Sequence, residues 1–340
     1  MNKRILGVVL VLLMVLLAAC TPVEAPAAPD APAVPDAPAA PDAPAAPVEG
    51  QTRYKIAFVC MDMANESQAF SSKMFEKHAD SYGYDLIITD AKGDAATQAQ
   101  DVTNMIAQEV DAIFVNPNDV SGIVPALMEA KSAGIVVAIF SSELAPDHQQ
   151  YRDFTVSADD YMGGQAAAKA FIEKFPNGAK VVEIGGQAGH DAQLKRHQGF
   201  TDGLEGSKIQ VLDVQNCTTW SASDAMNIMQ DYIVKYGDEI EGVFCHWDNG
   251  YTGIIQAMQS SNLDPASIFS VGVDGNRAGY DQVKDGVQSL SLAQDFEVIT
   301  KESLRLARIV LEGGTVEPVN YVPWAFYTAE TIVDIPRPEW

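Results

Sequence analysis

The chain has 340 residues, 47% of them hydrophobic and 20% charged, too apolar for a disordered chain and too polar for a polytopic membrane protein. Its 22 Lys and Arg against 46 Asp and Glu leave a net charge of −24, which argues against a polyanion such as nucleic acid as partner. Four cysteines in this length do not make a disulfide framework, and the length suits about two domains.

The N-terminus reads as an address. Lys3 and Arg4 precede a short apolar run, Ile5 to Leu17, followed by Ala18-Ala19-Cys20. The run is shorter than the roughly 20 residues that span a bilayer, so it reads as a secretory signal over residues 1–19. Two small residues directly before a cysteine resemble a bacterial lipobox, which implies cleavage before Cys20 and its lipidation; the bland alternative is an ordinary signal with a chance cysteine. Residues 20–50 are almost wholly Ala, Pro and acidic residues. Proline at this frequency forbids helix and strand interiors and leaves an extended, semi-rigid spacer. A partner-binding Pro-rich motif is the other reading, but the regularity favours a tether.

From Tyr54 strands and helices alternate. Strands are expected at Lys55–Cys60, Asp85–Thr89, Ala112–Val115 and Ile135–Phe140, with helices at Ala69–Ser81, Ala95–Glu109 and Ile123–Ser132. The rhythm then restarts. Helices are expected at Gly163–Phe175, Gln193–Leu204, Ser223–Tyr236, Tyr251–Ser261 and Ala278–Asp285, with strands at Ala179–Ile184, Ile209–Val214, Gly242–Cys245, Ser267–Val273 and Leu290–Ala293. A long helix, Val298–Glu312, closes the series. Short continuous apolar runs suit parallel strands buried on both faces, and the intervening helices supply the crossovers. The fold class is therefore α/β, with two doubly wound parallel-sheet lobes.

Ligands of open parallel sheets sit beyond the carboxyl ends of the strands. The segments directly after strands thus matter most: Cys60–Phe70, Ser141–Glu143, Gln187–Asp191, Cys217–Trp220, His246–Asn249, Asp274–Arg277 and Gln294-Asp295.

Several of these segments carry a resemblance. Val271-Gly-Val-Asp-Gly275, Ser157-Ala-Asp-Asp-Tyr-Met-Gly-Gly164 and Val182-Glu-Ile-Gly-Gly-Gln-Ala-Gly189 are its most specific parts, joined by Gly199-Phe200, Asn227-Ile-Met-Gln230, Gly242–Asp248 and Leu292-Ala-Gln294. In order and spacing, from Tyr54 to Thr328, they resemble the type I periplasmic sugar-binding proteins, the ribose and galactose binders of ABC importers. The resemblance implies two lobes joined by three hinge crossings, with residues 51–157 and 295–322 in the first lobe and 158–294 and 323–340 in the second. It implies binding rather than turnover.

By position, the resemblance implies ligand contacts from Asp274, a carboxylate on hydroxyls; from Gln294 at a hinge; from Trp220, stacking on a sugar face; and from the loop holding Asn65 and Glu66. Departures reshape the pocket. Ser141-Ser142 stand where an Asp-Arg pair is usual, Leu194 where an arginine is expected, and Trp247 in place of an asparagine. Arg196, two residues further on, reads as a helix-surface charge. His190, Asp191 and Asp248 stand at helix starts, where capping and ligand contact are both open.

Rival chemistry is thin. No Gly-x-Ser-x-Gly elbow, phosphate loop or nucleophile–base pair is found, so the reading is not an enzyme and needs no cofactor. His190, Asp191, His197 and His246 lack close metal-ligand spacing, so no metal is expected. Cys60 and Cys245 fall on core strands and Cys217 in a loop; a disulfide among the three would leave one thiol free. The sequence thus reads as an extracytoplasmic, lipid-anchored, monomeric binder that captures a monosaccharide or polyol and delivers it to an ABC permease and its ATPase. A nucleoside or furanosyl signalling molecule in the same fold, or a sensor reporting to a membrane receptor, are the alternatives.

Overall fold

The structure, a computed structural model, describes residues 52–340; the signal, Cys20 and spacer expected above lie outside the described residues. Two sheets of six strands make up the body. The first holds β1 (Tyr54–Cys60), β2 (Tyr84–Asp90), β3 (Ala112–Val115), β4 (Val136–Phe140), β5 (Phe154–Ser157) and β11 (Val319–Tyr321), in the order β2-β1-β3-β4-β5-β11. The second holds β6 (Lys180–Gln187), β7 (Gln210–Cys217), β8 (Gly242–Cys245), β9 (Phe269–Asp274), β10 (Leu290–Ala293) and β12 (Ala325–Thr328), in the order β7-β6-β8-β9-β10-β12. The two orders are the same pattern. Pairing is parallel throughout except that β12 runs antiparallel to β10, Leu290 facing Thr328 and Ala293 facing Ala325.

Between the strands run α1 (Glu66–His78), α2 (Ala95–Ala107), α3 (Val124–Ser132), α4 (Asp160–Lys174), α5 (Asp191–Gly203), α6 (Ala222–Tyr236), α7 (Asp248–Ser260), α8 (Arg277–Lys284) and α9 (Phe296–Leu311). The central strands are fully buried because helices cover both faces, which is why their sequences are continuous rather than alternating. In the first lobe Phe58, Phe75, Phe114 and Phe140 pack together between the sheet and α1 and α9. In the second, Phe171, Phe200 and Phe244 fill one face of the sheet, and Met229, Tyr232 and Tyr251 the other.

The chain passes from one sheet to the other three times: after β5, between β10 and α9, and between β11 and β12. The sequence reading did not mark β5, β11 and β12. These strands are three or four residues long and stand at or near sheet edges, so long-range pairing makes them rather than their own pattern. Helix α5 is held close to α4 by a glycine: a Cβ on Gly199 would strike the Tyr161 carbonyl of α4. That approach fixes the side chains α5 sends toward the sheet tips.

Candidate ligand site between the lobes

The carboxyl ends of both sheets face one cleft of about 370 Å³. Met61 follows β1, Asn116 follows β3 and Ser141 follows β4; Gln187 ends β6, Trp220 follows β7, Trp247 follows β8, Asp274 ends β9 and Gln294 follows β10, and all of them line it. Asn65, Glu66 and Gln68 reach it from the start of α1.

Asp274 is the most constrained of these. Its φ of 116° is a conformation that a residue with a Cβ rarely adopts, and such strain concentrates at functional sites. Gln294 Nε2 donates to its Oδ1 at 3.0 Å. Burial pushes its carboxyl up to about 8, against the pull of Arg196, with Asp248 adding to the rise. That rise favours the neutral acid, which can both donate and accept.

Trp220 lies against Gly186, where a Cβ would run into the ring. His190 and Trp247 meet it edge to face, each with ring centroids 5.4 Å away. Trp247 in turn rests on Gly250. The aromatic wall is therefore fixed in place rather than adaptable.

His190 settles its open reading by doing the capping. Its Nδ1 accepts from Ala192 N at 3.2 Å, which places the ring proton on Nε2, facing Asn116 Oδ1 at 3.2 Å in the other lobe. Burial, helped by the Arg196 charge, lowers its pKa to about 3, so the imidazole is neutral. Asn65 also caps: its Oδ1 accepts from the N–H groups of Ser67 and Gln68. Glu66 is exposed at the mouth of the cleft, and Ser141 lines it with a φ of 49°.

Three of the expected contacts lie outside the cleft lining. Ser142 is fully buried behind Ser141. Asp191 sits at the seam of the lobes, where its Oδ2 accepts from Glu143 N at 2.8 Å and Lys195 Nζ stands 3.3 Å away. Burial pushes Asp191 up to about 7, with Lys195 opposing. Asp248 turns away from the cleft and does not cap α7 either, since Trp247 holds the cap position. Its carboxylate accepts from Gly275 N at 2.8 Å, Ser291 Oγ at 2.6 Å and Gln288 Nε2 at 2.8 Å, bracing the turn that carries Asp274. Burial raises it to about 6 despite these bonds.

Other residues line the cleft beyond the expected contacts. Asn116 follows a strand, so the strand-end rule applied to β3 would have found it. Arg196 is a correction: it is 3% exposed, not a surface charge. Its Nε donates to Asp160 Oδ1 at 2.8 Å and its Nη1 to the His246 carbonyl at 2.5 Å, and the guanidinium lies 6.0 Å from the Trp220 ring. Leu194, at the position where an arginine was expected, is half exposed. Gln68, Asn249 and Asn276 add to the polar lining, with Asp62, Ser67, Thr219 and Ser221.

The histidines do not assemble. His246 and His197 both bond Glu183, whose burial alone would raise its pKa but whose two histidine bonds bring it below the ordinary value. Among the described residues no cluster of His, Cys, Asp or Glu is placed to hold a metal. Cys60, Cys217 and Cys245 are free and buried; Cys217 ends β7 rather than lying in a loop.

A two-lobed α/β body with both sets of strand tips on one enclosed, hydrogen-bonding cleft defines a solute-binding protein. The comparisons agree. Residues 56–315 match the family model described as periplasmic binding protein domain, and the chain belongs to that family. It is 32% identical to the ribose import binding protein of Bacillus subtilis (strain 168) over 74% of this chain and 79% of that protein. It is 27% identical to the xylitol-binding protein of Mycolicibacterium smegmatis over 73% of this chain and 70% of that protein. The fold matches the crystal structure of the Caulobacter myo-inositol binding protein, with a TM-score of 0.79 at 20% identity, covering 84% of this chain and 97% of that one. The family and these relatives are binding proteins, not enzymes.

Proposed function

We propose that this protein is the solute-binding component of an ABC importer, and that it captures a neutral sugar or polyol between its lobes. The observation that carries this reading is the pairing of Asp274 with Gln294 beside the Trp220–Trp247 wall. An indole face covers the C–H side of a sugar ring, while a carboxyl and a carboxamide match vicinal hydroxyls. The charge inventory supports a neutral ligand: Arg196 is already paired with Asp160, and Asp274 is raised to about 8. A ligand of about a dozen heavy atoms held at micromolar affinity needs about −8 kcal/mol, within reach of such a site.

Ligand contacts are assigned to Asp274, Gln294, Trp220, Trp247, Ser141 and Glu66, with His190 and Asn65 as the caps that place their neighbours. A nucleoside in the same cleft is the less favoured reading, because the two tryptophans meet each other at 88° and offer no parallel slot for a base. A thermal-shift screen of pentoses, hexoses, polyols and nucleosides tests this. A rise in melting temperature with sugars or polyols is expected, and a response to nucleosides alone would overturn the reading.

The sequence of residues 1–50 supports a tether outside the cytoplasm through lipidated Cys20; on this reading the protein acts as a monomer and hands its cargo to a permease and its ATPase. Cys20→Ser is expected to release the protein from membranes with ligand binding intact; retention at the membrane would refute the anchor. Co-purification of the loaded protein with a permease, rather than with a membrane receptor, separates import from sensing.

A further inference from the structure

We propose that His197, Glu183 and His246 form a proton-responsive relay in the second lobe, running from the outer face of α5 to Trp247. The relay lies behind the cleft wall and does not depend on which guest the cleft holds.

The cluster is one buried carboxylate shared by two imidazoles. Glu183 stands on β6 and His246 directly after β8, and both side chains are 0% exposed; the His197 side chain, on α5, is 40% exposed. His246 Nε2 lies 2.9 Å from Glu183 Oε1, and His197 Nδ1 lies 3.0 Å from each carboxylate oxygen. An ionised carboxylate only accepts, so both ring nitrogens are donors. The carboxylate is kept ionised because its two histidine bonds outweigh the burial that opposes its charge.

This geometry directs an added proton to His197. Donation from Nε2 leaves His246 Nδ1 as an acceptor, and that atom is buried without a partner. Protonating it would bury an unpaired N–H close to the Arg196 guanidinium, whose Nη1 donates to the His246 carbonyl at 2.5 Å. Burial accordingly lowers the pKa of His246. His197 is open to water, and its bond to Glu183 raises its pKa above the ordinary value.

The other charged and titratable groups around the cluster have partners of their own. Arg196 of α5 is paired with Asp160 of α4 and also faces Asp274 at the end of β9. From α6, Tyr232 Oη donates to the Glu183 backbone carbonyl at 3.1 Å. On β7, Asp213 is bonded by Lys235 and Tyr236. Among the described residues, the Glu183 carboxylate bonds the two histidines and no other side chain.

Loss of the His197 proton therefore changes what His246 experiences. A charged His197 neutralises Glu183. A neutral His197 leaves the full carboxylate charge on two neutral N–H donors, and in this low-dielectric setting the bond to His246 strengthens. The His246 ring packs against Phe244, with centroids 4.8 Å apart, and its backbone N–H donates to the Ile184 carbonyl at 3.1 Å. The next residue is Trp247, 4% exposed and part of the cleft wall. A change in the pull on His246 thus reaches the indole through one peptide unit.

The test is a pH titration of the full chain labelled with fluorotryptophan, followed by fluorine NMR from about pH 5 to about pH 9, with proton NMR tracking the histidines. Trp247→Phe assigns the Trp247 line. His197 should titrate above about 6.5 and His246 below it, and the Trp247 line should shift with the midpoint of His197. His197→Gln keeps a donor for Glu183 and cannot titrate. It should fold as the wild type does and lose that step, retaining only steps that belong to Asp248 and Asp274. The same step in wild type and variant, or a wild-type Trp247 line that does not move through the His197 midpoint, would overturn the relay. Should the variant fail to fold, agreement or disagreement of the two wild-type midpoints decides alone.

Discussion

The indole of Trp340 lies nearly parallel to the ring of Phe70, with centroids 5.3 Å apart and an interplanar angle of 15°. Phe70 stands on α1 in the first lobe, and Phe296 of α9 meets the same indole edge-on at 5.0 Å. The tail that brings Trp340 there is tied to the second lobe. Arg337 Nε bonds Asp281 at 2.7 Å, Tyr280 Oη donates to the Ile335 carbonyl at 3.1 Å, and Arg277 N donates to the Trp340 carbonyl. Trp340 therefore spans the lobes on the side of the cleft mouth. Aromatic pairs of this kind contribute about 0.5–1.5 kcal/mol beyond area burial. Trp340→Ala is expected to speed ligand release about three- to tenfold and to enlarge the unliganded protein in small-angle scattering. An unchanged release rate in stopped-flow would show that the contact does not hold the lobes.

Asp274 is expected to act as a neutral acid. An amide mimics that state, so Asp274→Asn should keep most of the affinity. Asp274→Ala removes both hydrogen-bonding oxygens and should weaken binding by about 2 kcal/mol, near thirtyfold. Titration calorimetry of both variants at pH 7 decides; equal losses would mean that the carboxylate charge matters.

Asp248 carries a structural load. Removing its carboxylate leaves Gly275 N, Ser291 Oγ and Gln288 Nε2 without their shared acceptor. Asp248→Ala should lower unfolding stability by about 2–3 kcal/mol in denaturant, since bonds to a charged acceptor are the stronger kind. It should also weaken ligand binding, because Gly275 follows Asp274 directly. A variant of wild-type stability would contradict the bracing role.

Stability should fall as pH rises from about 6.5 to about 8. Burial holds Asp191 at about 7 and Asp274 at about 8, above the ordinary carboxylate range, so the fold keeps protons that the unfolded chain has already released. The sign is therefore negative from the unfolded pKa, about 4, up to the folded values. His197, raised by its bond to Glu183, acts in the same direction as pH rises through its folded pKa. His190, lowered to about 3, acts oppositely, but only below about pH 6.5. The charges facing Asp191 are Lys195, Glu143 and Asp160, and those facing Asp274 are Arg196, Asp248 and Asp160. Denaturant midpoints across this range should decline in the wild type and flatten in Asp191→Asn and Asp274→Asn; a rising wild-type profile would contradict the assignment.

Particular residues show what the sequence could reveal. Ile56–Cys60 and Val136–Phe140 are legible because burial on both faces leaves unbroken apolar runs. Val319–Tyr321 is half buried and becomes a strand only by pairing with β5. At the site, Trp220, Trp247 and Asp274 follow from the strand-end rule. Asp248, one residue beyond Trp247, faces the opposite way, and spacing does not encode that reversal. Arg196 and Gln68 lie within helices, where the close approach of α4 to α5 and the placement of α1 decide which side chains turn inward.

The central claim is that the cleft holds a neutral hydroxylated guest. Equilibrium titration of the full chain with matched pairs, each neutral sugar or polyol against its uronic acid or phosphate, tests it most directly. The account predicts micromolar or tighter binding of at least one neutral member and none of its charged partner. Binding confined to the charged members would contradict it.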